Sequence, residues 1–310
     1  MNILFSGIGG VGGYYGGVMA AHYKDVAGVD ISFFARGRHL ETIRRDGLTV
    51  RFPGGEFKAF PAVATDKAED AGPADCIFLA TKTYNLDETL DQLAPVVSPD
   101  TVIIPLLNGV DNVSRIAARF PEAEVWGGCT YIVTRREAPG LVCKYSERDS
   151  LWFGSAEASS ESLDTLEKLF RDAGINCTAT AEIGLRLWKK FMLTSTGGTL
   201  TSYYDTCIGD VLKYHKDVFV GLAREVHALA TAHGYRLPED APEETLRDIT
   251  LMPYDSTFSM HTDFINGNRT ELETLVGYPI VAGKKYGVDT PIYSMAYEKL
   301  KEREKLNRKE

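Results

Sequence analysis

Several features that would announce a function are missing from this chain. Its 310 residues hold five cysteines, Cys76, Cys129, Cys143, Cys177 and Cys207, with no C-x-x-C pair among them. An odd, scattered set builds neither a disulfide framework nor a zinc site, so free thiols in a reducing compartment are expected. The six histidines show no metal-ligand spacing and no G-x-S-x-G occurs, which gives metal-hydrolase and nucleophile-elbow chemistry no support. Positive charge is scarce: 34 Lys and Arg face 43 Asp and Glu, a net charge of −9. Without a surplus positive field to neutralise phosphates, nucleic acid is not an expected partner. No apolar run approaches the ~18 residues that span a bilayer. The opening Met1-Asn2-Ile3-Leu4-Phe5 also lacks the basic n-region of a signal peptide. A cytoplasmic protein without a membrane partner is the expectation. Repeats and low-complexity tracts are absent too, and a hydrophobic fraction of 44% excludes disorder as the main state.

What is present has order. In the first half, short apolar runs alternate with helical spacing: Ile3–Ser6, a helix to about Tyr23, Ile31–Ala35, Asp75–Ala80, a helix over Leu86–Val97, Val102–Leu107, and a helix over Val110–Phe120. Alternation of this kind predicts βαβ units and a parallel, doubly wound sheet. Between Val125 and Phe153 the segments turn extended, broken by Pro139-Gly140 and by a charged turn at Glu147-Arg148-Asp149. They are expected to add an antiparallel edge. Ser159–Asp172 reads as a further helix and Ile175–Thr178 as a short strand. Beyond Ala179 the strand signal fades, and Leu185–Thr201, Tyr214–His233, Pro242–Asp248, Glu271–Tyr286 and Tyr293–Lys305 read as helices. The expected division is an α/β domain over 1–180 and an all-helical domain over 181–310.

Gly7-Ile8-Gly9-Gly10-Val11-Gly12 fits G-x-G-x-x-G directly after an apolar strand and directly before a helix. In that context the motif predicts a dinucleotide cradle. Gly7 would permit the tight turn, Gly9 the approach of a pyrophosphate, and Gly12 close helix–strand packing, with the helix N–H groups facing the phosphate charge. NAD binders usually carry a carboxylate at the end of the second strand, about 20 residues past the motif. Here that end reads Phe34-Ala35-Arg36-Gly37-Arg38, while Asp30 lies at the strand's start. A guanidinium at Arg36, with Arg38 beside it left open, suits a 2′-phosphate, so NADP is expected over NAD. Lys82 and Asn108-Gly109 follow two more strands, at the carboxyl ends where ligands of open α/β sheets collect. From position alone, ordinary turn chemistry explains them equally well.

In the helical half, Lys190, Thr194 and Gly198 share a helix face by i, i+4 spacing, following Trp188-Lys189. Such a lysine either overlooks a space or simply decorates an amphipathic surface. Glu271, after Asn268-Arg269-Thr270, stands at an expected helix start, where the dipole stabilises a carboxylate without any catalytic reason.

Together these pieces resemble the ketopantoate reductase family (2-dehydropantoate 2-reductase), nearly end to end. The landmarks are the glycine motif, Ala35-Arg36-Gly37, Thr81-Lys82, Asn108-Gly109, Ala138-Pro139-Gly140, Trp188-Lys189-Lys190, Ser259-Met260-x-x-Asp263, Thr270-Glu271 and Gly287-Val288-Asp289-Thr290-Pro291. The resemblance implies a Rossmann-type domain followed by a helical domain like the C-terminal part of 6-phosphogluconate dehydrogenase. It implies an NADPH-dependent oxidoreductase that turns the C2 ketone of ketopantoate into the hydroxyl of pantoate, in pantothenate and coenzyme A synthesis. By the same resemblance Lys190 is the catalytic lysine and Glu271 the catalytic or substrate-positioning carboxylate. Ser259, Asn108 and Thr194 would meet the substrate. Gly7, Ile8, Gly9, Gly10, Val11, Gly12, Arg36, Lys82 and Asn108 would hold the cofactor, and closure of an interdomain cleft would complete the site.

Two departures qualify what the resemblance implies. Family members usually carry asparagines four and eight residues after the lysine; here those positions are Thr194 and Gly198. A roomier, less polar face is expected, and with it an alternative, a relative that reduces a different 2-oxo acid. Pro279 falls inside the helix that starts near Glu271 and predicts a kink or break. A reading of another class, an NADP-binding sensor without turnover, is opposed by the presence of both Lys190 and Glu271. The sequence leaves the oligomeric state, including a homodimer, open.

Overall fold

The computed structural model describes residues 1–147 and 149–307, so Arg148 of the expected charged turn and the last residues of the tail lie outside the described residues. Two compact units are present: Met1–Leu107 with Asp111–Ile183, called here the sheet unit, and Asn108–Val110 with Gly184–Glu310, the helical unit.

In chain order the sheet unit runs β1 (Asn2–Ser6), α1 (Gly10–Tyr23), β2 (Asp30–Phe34), α2 (Gly37–Asp46), β3 (Leu48–Phe52), β4 (Gly55–Ala59), β5 (Val63–Thr65) and β6 (Cys76–Leu79). It continues with α3 (Leu86–Leu93), β7 (Val102–Pro105), α4 (Asn112–Arg119), β8 (Glu124–Val125), β9 (Gly127–Tyr131), β10 (Thr134–Ala138), β11 (Leu141–Lys144), β12 (Ser150–Gly154), α5 (Ser160–Asp172) and β13 (Cys177–Ala179). The main sheet is six-stranded in the order β5-β2-β1-β6-β7-β8, and every pair in it is parallel. This is the expected doubly wound sheet. Central β1 is buried on both faces, with Ile3, Leu4 and Phe5 fully inaccessible, so it reads as a continuous apolar run rather than an alternation.

The region after Val125 departs from the antiparallel edge expected of it. The short β8 does extend the main sheet, but as a parallel strand. Strands β10 and β11 instead join β3 and β4 in a four-stranded sheet, and β9, β12 and β13 form a three-stranded one. The β3–β4 hairpin was not foreseen. Its turn is Pro53-Gly54 with Gly54 at φ 100°, the proline–glycine pairing of a type II turn. The physical reason for the second sheet lies in α1, which packs against both sheets. A Cβ at Gly16 would lie 3.0 Å from Phe5 and 3.1 Å from Phe33, while Cβ atoms at Gly13 and Gly17 would each lie 2.6 Å from Val142 and Val50. A helix covered on two sides has no polar face to show, hence no amphipathic period.

The helical unit contains α6 (Ile183–Tyr204), α7 (Ile208–Tyr214), α8 (Lys216–Ala232), α9 (Ala241–Thr250), α10 (Ser259–Ile265), a π-helical turn over Glu273–Gly277, α11 (Tyr278–Tyr286) and α12 (Pro291–Asn307). Its core gathers Trp188, Phe191, Met192, Leu222, Val226 and Phe264. The break expected at Pro279 takes the form of the π turn just before it. Proline has no N–H to return to the preceding turn. The Leu275 carbonyl accepts instead from the Ser195 hydroxyl of α6 at 2.5 Å, and that hydroxyl also meets Tyr293 Oη at 2.6 Å. Glu225, buried in α8, accepts from the N–H groups of Ile292 and Tyr293 at the start of α12 (2.8 and 3.2 Å). Burial pushes its carboxyl up against the opposing pull of those two donors.

All five cysteines are free. Among the described residues no helix is long and apolar enough to cross a membrane, and no cluster of three or more His, Cys, Asp or Glu could hold a metal ion.

Candidate active site

The glycine cradle is built from backbone. Gly7 leaves β1 at φ 91°, a conformation that L side chains seldom adopt. Its N–H donates to the Phe34 carbonyl at 3.1 Å, and the Gly9 N–H donates to the Gly7 carbonyl at 2.8 Å. A Cβ on Gly7 would lie 2.7 Å from the Thr81 nitrogen, because the ends of β1 and β6 meet where the strand order reverses, the place where α/β sheets bind ligands. A Cβ on Gly12 would stand 2.3 Å from the Gly7 carbonyl oxygen and 2.8 Å from the Ala80 Cβ, so this glycine serves helix–strand packing. Gly9 differs: a Cβ there would meet nothing within 4 Å. It is the N-cap of α1 and no side chain caps the helix. Ile8 is buried, Val11 half-buried, and Gly10 lies so close to Thr134 that a Cβ would come within 2.7 Å of its carbonyl oxygen.

This end of the sheet unit fits a dinucleotide on two observations. Open space adjoins uncapped helix N–H groups at Gly9, which is what a pyrophosphate needs. Beside the cradle, the hydroxyls of Thr81 and Thr134 are buried without a hydrogen-bond partner, and a buried polar atom left unpaired calls for an explanation. Thr134 carried no signal in the sequence, because its nearness to Gly10 arises only when β10 joins the second sheet. His39 was missed for the same reason. Its Nδ1 accepts from the Gly140 N–H at 2.8 Å, so the ring proton sits on Nε2. Burial first, and Arg136 second, hold its pKa below the usual range. The Ala138-Pro139-Gly140 turn is thereby tied to α2.

Arg36 stands just past β2 as the N-cap of α2, with Arg38 exposed in the helix's first turn. The Arg36 guanidinium is not idle: its Nη1 meets Glu88 Oε1 of α3 at 2.7 Å, with both side chains about half exposed (49% and 55%). Lys82 follows β6 as the N-cap of the 3-10 turn Thr83–Asn85 and is half-buried.

The second group of residues lies within the helical unit. Asn108 Nδ2 donates to Glu271 Oε2 at 3.1 Å, and Gly109 follows at φ 101°. Glu271 is only 3% exposed and stands at the entrance to the π turn. Its neighbour Thr270 donates to Glu304 Oε1 at 2.8 Å, which anchors the segment to α12. On α6 the two adjacent lysines differ. Lys189 Nζ pairs with Glu244 Oε2 at 2.9 Å, whereas the half-buried Lys190 ammonium makes no hydrogen bond or ion pair among the described residues. The geometry therefore joins Asn108 to Glu271 but does not join Lys190 to Glu271. Thr194 Oγ1 donates back to the Lys190 carbonyl at 2.9 Å. Ser259 is exposed, the first residue of α10. At Gly198 a Cβ has room and would touch Met260, Phe258 and Leu275 at 3.7–3.8 Å, whereas the Phe258 ring lies directly over Gly197. The atoms nearest position 198 are apolar, as expected of a less polar face.

Residues 3–158 match the ketopantoate reductase PanE/ApbA family, and residues 182–304 match its C-terminal domain. The chain belongs to the ketopantoate reductase family. An oxidoreductase named YkpB, from Bacillus subtilis strain 168 and itself uncharacterized, is 26% identical over 97% of this chain and 98% of its own length. The crystal structure of 2-dehydropantoate 2-reductase from Porphyromonas gingivalis W83 is 34% identical, covers 96% of this chain and 98% of that one, and superposes with a TM-score of 0.85. A ternary D-mandelate dehydrogenase structure with NADH and anilino(oxo)acetate shares the fold at 23% identity and a TM-score of 0.88, over 99% of this chain and all of that one. Ketopantoate reductases are thus the frame for this oxidoreductase, with a Rossmann-like parallel-sheet unit and a helical unit.

Proposed function

We propose that this ketopantoate reductase family member reduces the C2 ketone of ketopantoate to the alcohol of pantoate, with NADPH as the reductant. The observation that carries the reading is the contrast within α6: Lys189 is spent on Glu244, and half-buried Lys190 keeps its ammonium unpaired among the described residues. A bound nicotinamide supplies the hydride. Lys190 then donates a proton to the ketone oxygen and stabilises the negative charge that develops there, a role worth about 10²–10⁴-fold. Asn108 donates to one carboxylate oxygen of Glu271 and so fixes that buried carboxylate. Ser259, exposed at the start of α10, is suited to donate to the substrate carboxylate. On the cofactor side the Gly9 opening takes the pyrophosphate, and Arg36, with no carboxylate at the end of β2, takes the 2′-phosphate.

A second reading, reduction of a different 2-oxo acid, draws support from Thr194 and Gly198. The Thr194 proton is committed to a helix carbonyl and Gly198 has no side chain, so neither does what an asparagine would. Consumption of NADPH and of NADH, followed with ketopantoate, pyruvate, 2-oxoisovalerate and larger 2-oxo acids, decides between them. Turnover of ketopantoate with NADPH is expected. Activity confined to another acid would replace the substrate, and tight NADPH binding without turnover would replace the enzyme with a sensor.

A further inference from the structure

An α-helix returns to the same face after about seven residues, so Gly197 lies on the Lys190 face two turns along, with Thr194 between them. What covers Gly197 is the Phe258 ring. A Cβ at 197 would come within 2.2 Å of Phe258 Cε2 and 2.4 Å of Cζ, so glycine is what lets the ring rest on the helix backbone. The neighbouring position 198 looks onto Met260, Leu275 and the Phe258 Cβ, apolar atoms throughout. Phe258 is itself only part-buried and immediately precedes Ser259. Its segment is held from both sides. Thr257 Oγ1 and His261 Nδ1 are 2.7 Å apart, and His261 Nε2 meets Asp205 Oδ1 at 2.9 Å, just beyond the end of α6. Arg303 Nη2 donates to the same Asp205 oxygen at 2.6 Å. The ring is therefore a positioned surface on the face that carries Lys190.

We infer that Phe258 determines substrate specificity, forming an apolar wall that receives the branched C3 carbon of a 2-oxo acid. Selection then comes from the branch, and a hydroxyl further along the substrate goes unread by α6. The inference rests on the 2-oxo acid reductase reading above and sharpens it. An apolar wall distinguishes substrates by a methylene at about 10–200-fold, and rejects or favours an isostere with an added hydroxyl by only about 10². A site built to bond a hydroxyl rejects the analogue lacking it by about 10⁴–10⁵.

The test compares kcat/KM for ketopantoate, for 3,3-dimethyl-2-oxobutanoate (the same skeleton without the hydroxyl) and for unbranched 2-oxobutanoate. The wild-type protein and the variants Phe258→Ala and Phe258→Leu are assayed with NADPH and with NADH. The two branched acids should agree within about 10²-fold and exceed the unbranched one by about tenfold or more. Phe258→Ala should erase the branched-over-unbranched advantage, and Phe258→Leu should keep most of it. A wild-type ketopantoate advantage over its deoxy analogue above about 10²-fold overturns the inference, as does a branched preference that survives in Phe258→Ala. The wild-type comparison stands even if the alanine variant does not fold. If none of the three acids consumes either nucleotide, it is the underlying 2-oxo acid reductase reading that fails.

Discussion

The sheet unit and the helical unit make their candidate sites from different materials. In the sheet unit the cradle is backbone: Gly7 turns, Gly12 admits the neighbouring carbonyl, and Gly9 alone opens to free space. In the helical unit it is side-chain chemistry: a carboxylamide on a buried carboxylate, an unpaired lysine beside a paired one, and an aromatic ring on a glycine. A backbone site tolerates no added atoms at its packed glycines, Gly7 and Gly12. A side-chain site depends on partners that only the tertiary fold brings together. The first kind is steric and the second electrostatic, so substitutions should separate them.

The largest separation is expected at Arg36. Arg36→Ala removes the charged partner of a 2′-phosphate, an interaction worth about 1.5–3 kcal/mol, so the NADPH dissociation constant should rise about 10–100-fold while that of NADH hardly moves. Equal losses for both nucleotides, measured by fluorescence titration, would remove the 2′-phosphate argument. Next come Gly12 and Gly9, three residues apart in the same motif. Gly12→Ala forces a methyl into the Gly7 carbonyl and should cost about 1–3 kcal/mol of stability, visible in denaturant unfolding. Gly9→Ala has room for its methyl, so unfolding should be unchanged while binding of both nucleotides weakens. If Gly9→Ala binds NADPH normally, the pyrophosphate does not approach there. The smallest effect belongs to Glu88. Its exposed pair with Arg36 is worth up to about 1 kcal/mol, so Glu88→Gln should tighten NADPH by no more than about fivefold and leave NADH unchanged. Weaker NADPH binding in that variant would mean that Glu88 orients the arginine rather than competing for it.

The same difference explains how far the sequence could be read. The β1–α1–β2 opening was legible because Gly7 and Gly12 answer steric demands at the strand ends beside them, and a buried parallel strand shows itself as an apolar run. The outer sheet was not. Strands β3 and β4 have about half of their residues exposed and carry Arg51, Glu56 and Lys58, and β3 acquires its parallel partner β11 from about ninety residues further on. Pro279 was legible as a break because a missing N–H is a property of the residue itself. That Ser195 would cap the freed carbonyl was not, since the donor lies 80 residues away. Family resemblance singled out Asn108 and Glu271 separately, but their hydrogen bond spans 163 residues. The crowding at Gly197 escaped prediction because a glycine reads as empty space until the Phe258 ring that covers it is placed.

In the proposed reaction Lys190, and not its neighbour, delivers the proton. Lys189→Ala and Lys190→Ala should be assayed side by side for kcat with ketopantoate and for the NADPH dissociation constant. Lys190→Ala is expected to lose about 10²–10⁴-fold in kcat with NADPH affinity within about twofold of wild type, while Lys189→Ala, which breaks only the pair with Glu244, keeps kcat near wild type. A Lys190→Ala enzyme that turns over at nearly the wild-type rate, or a Lys189→Ala enzyme that falls as far, would contradict that role.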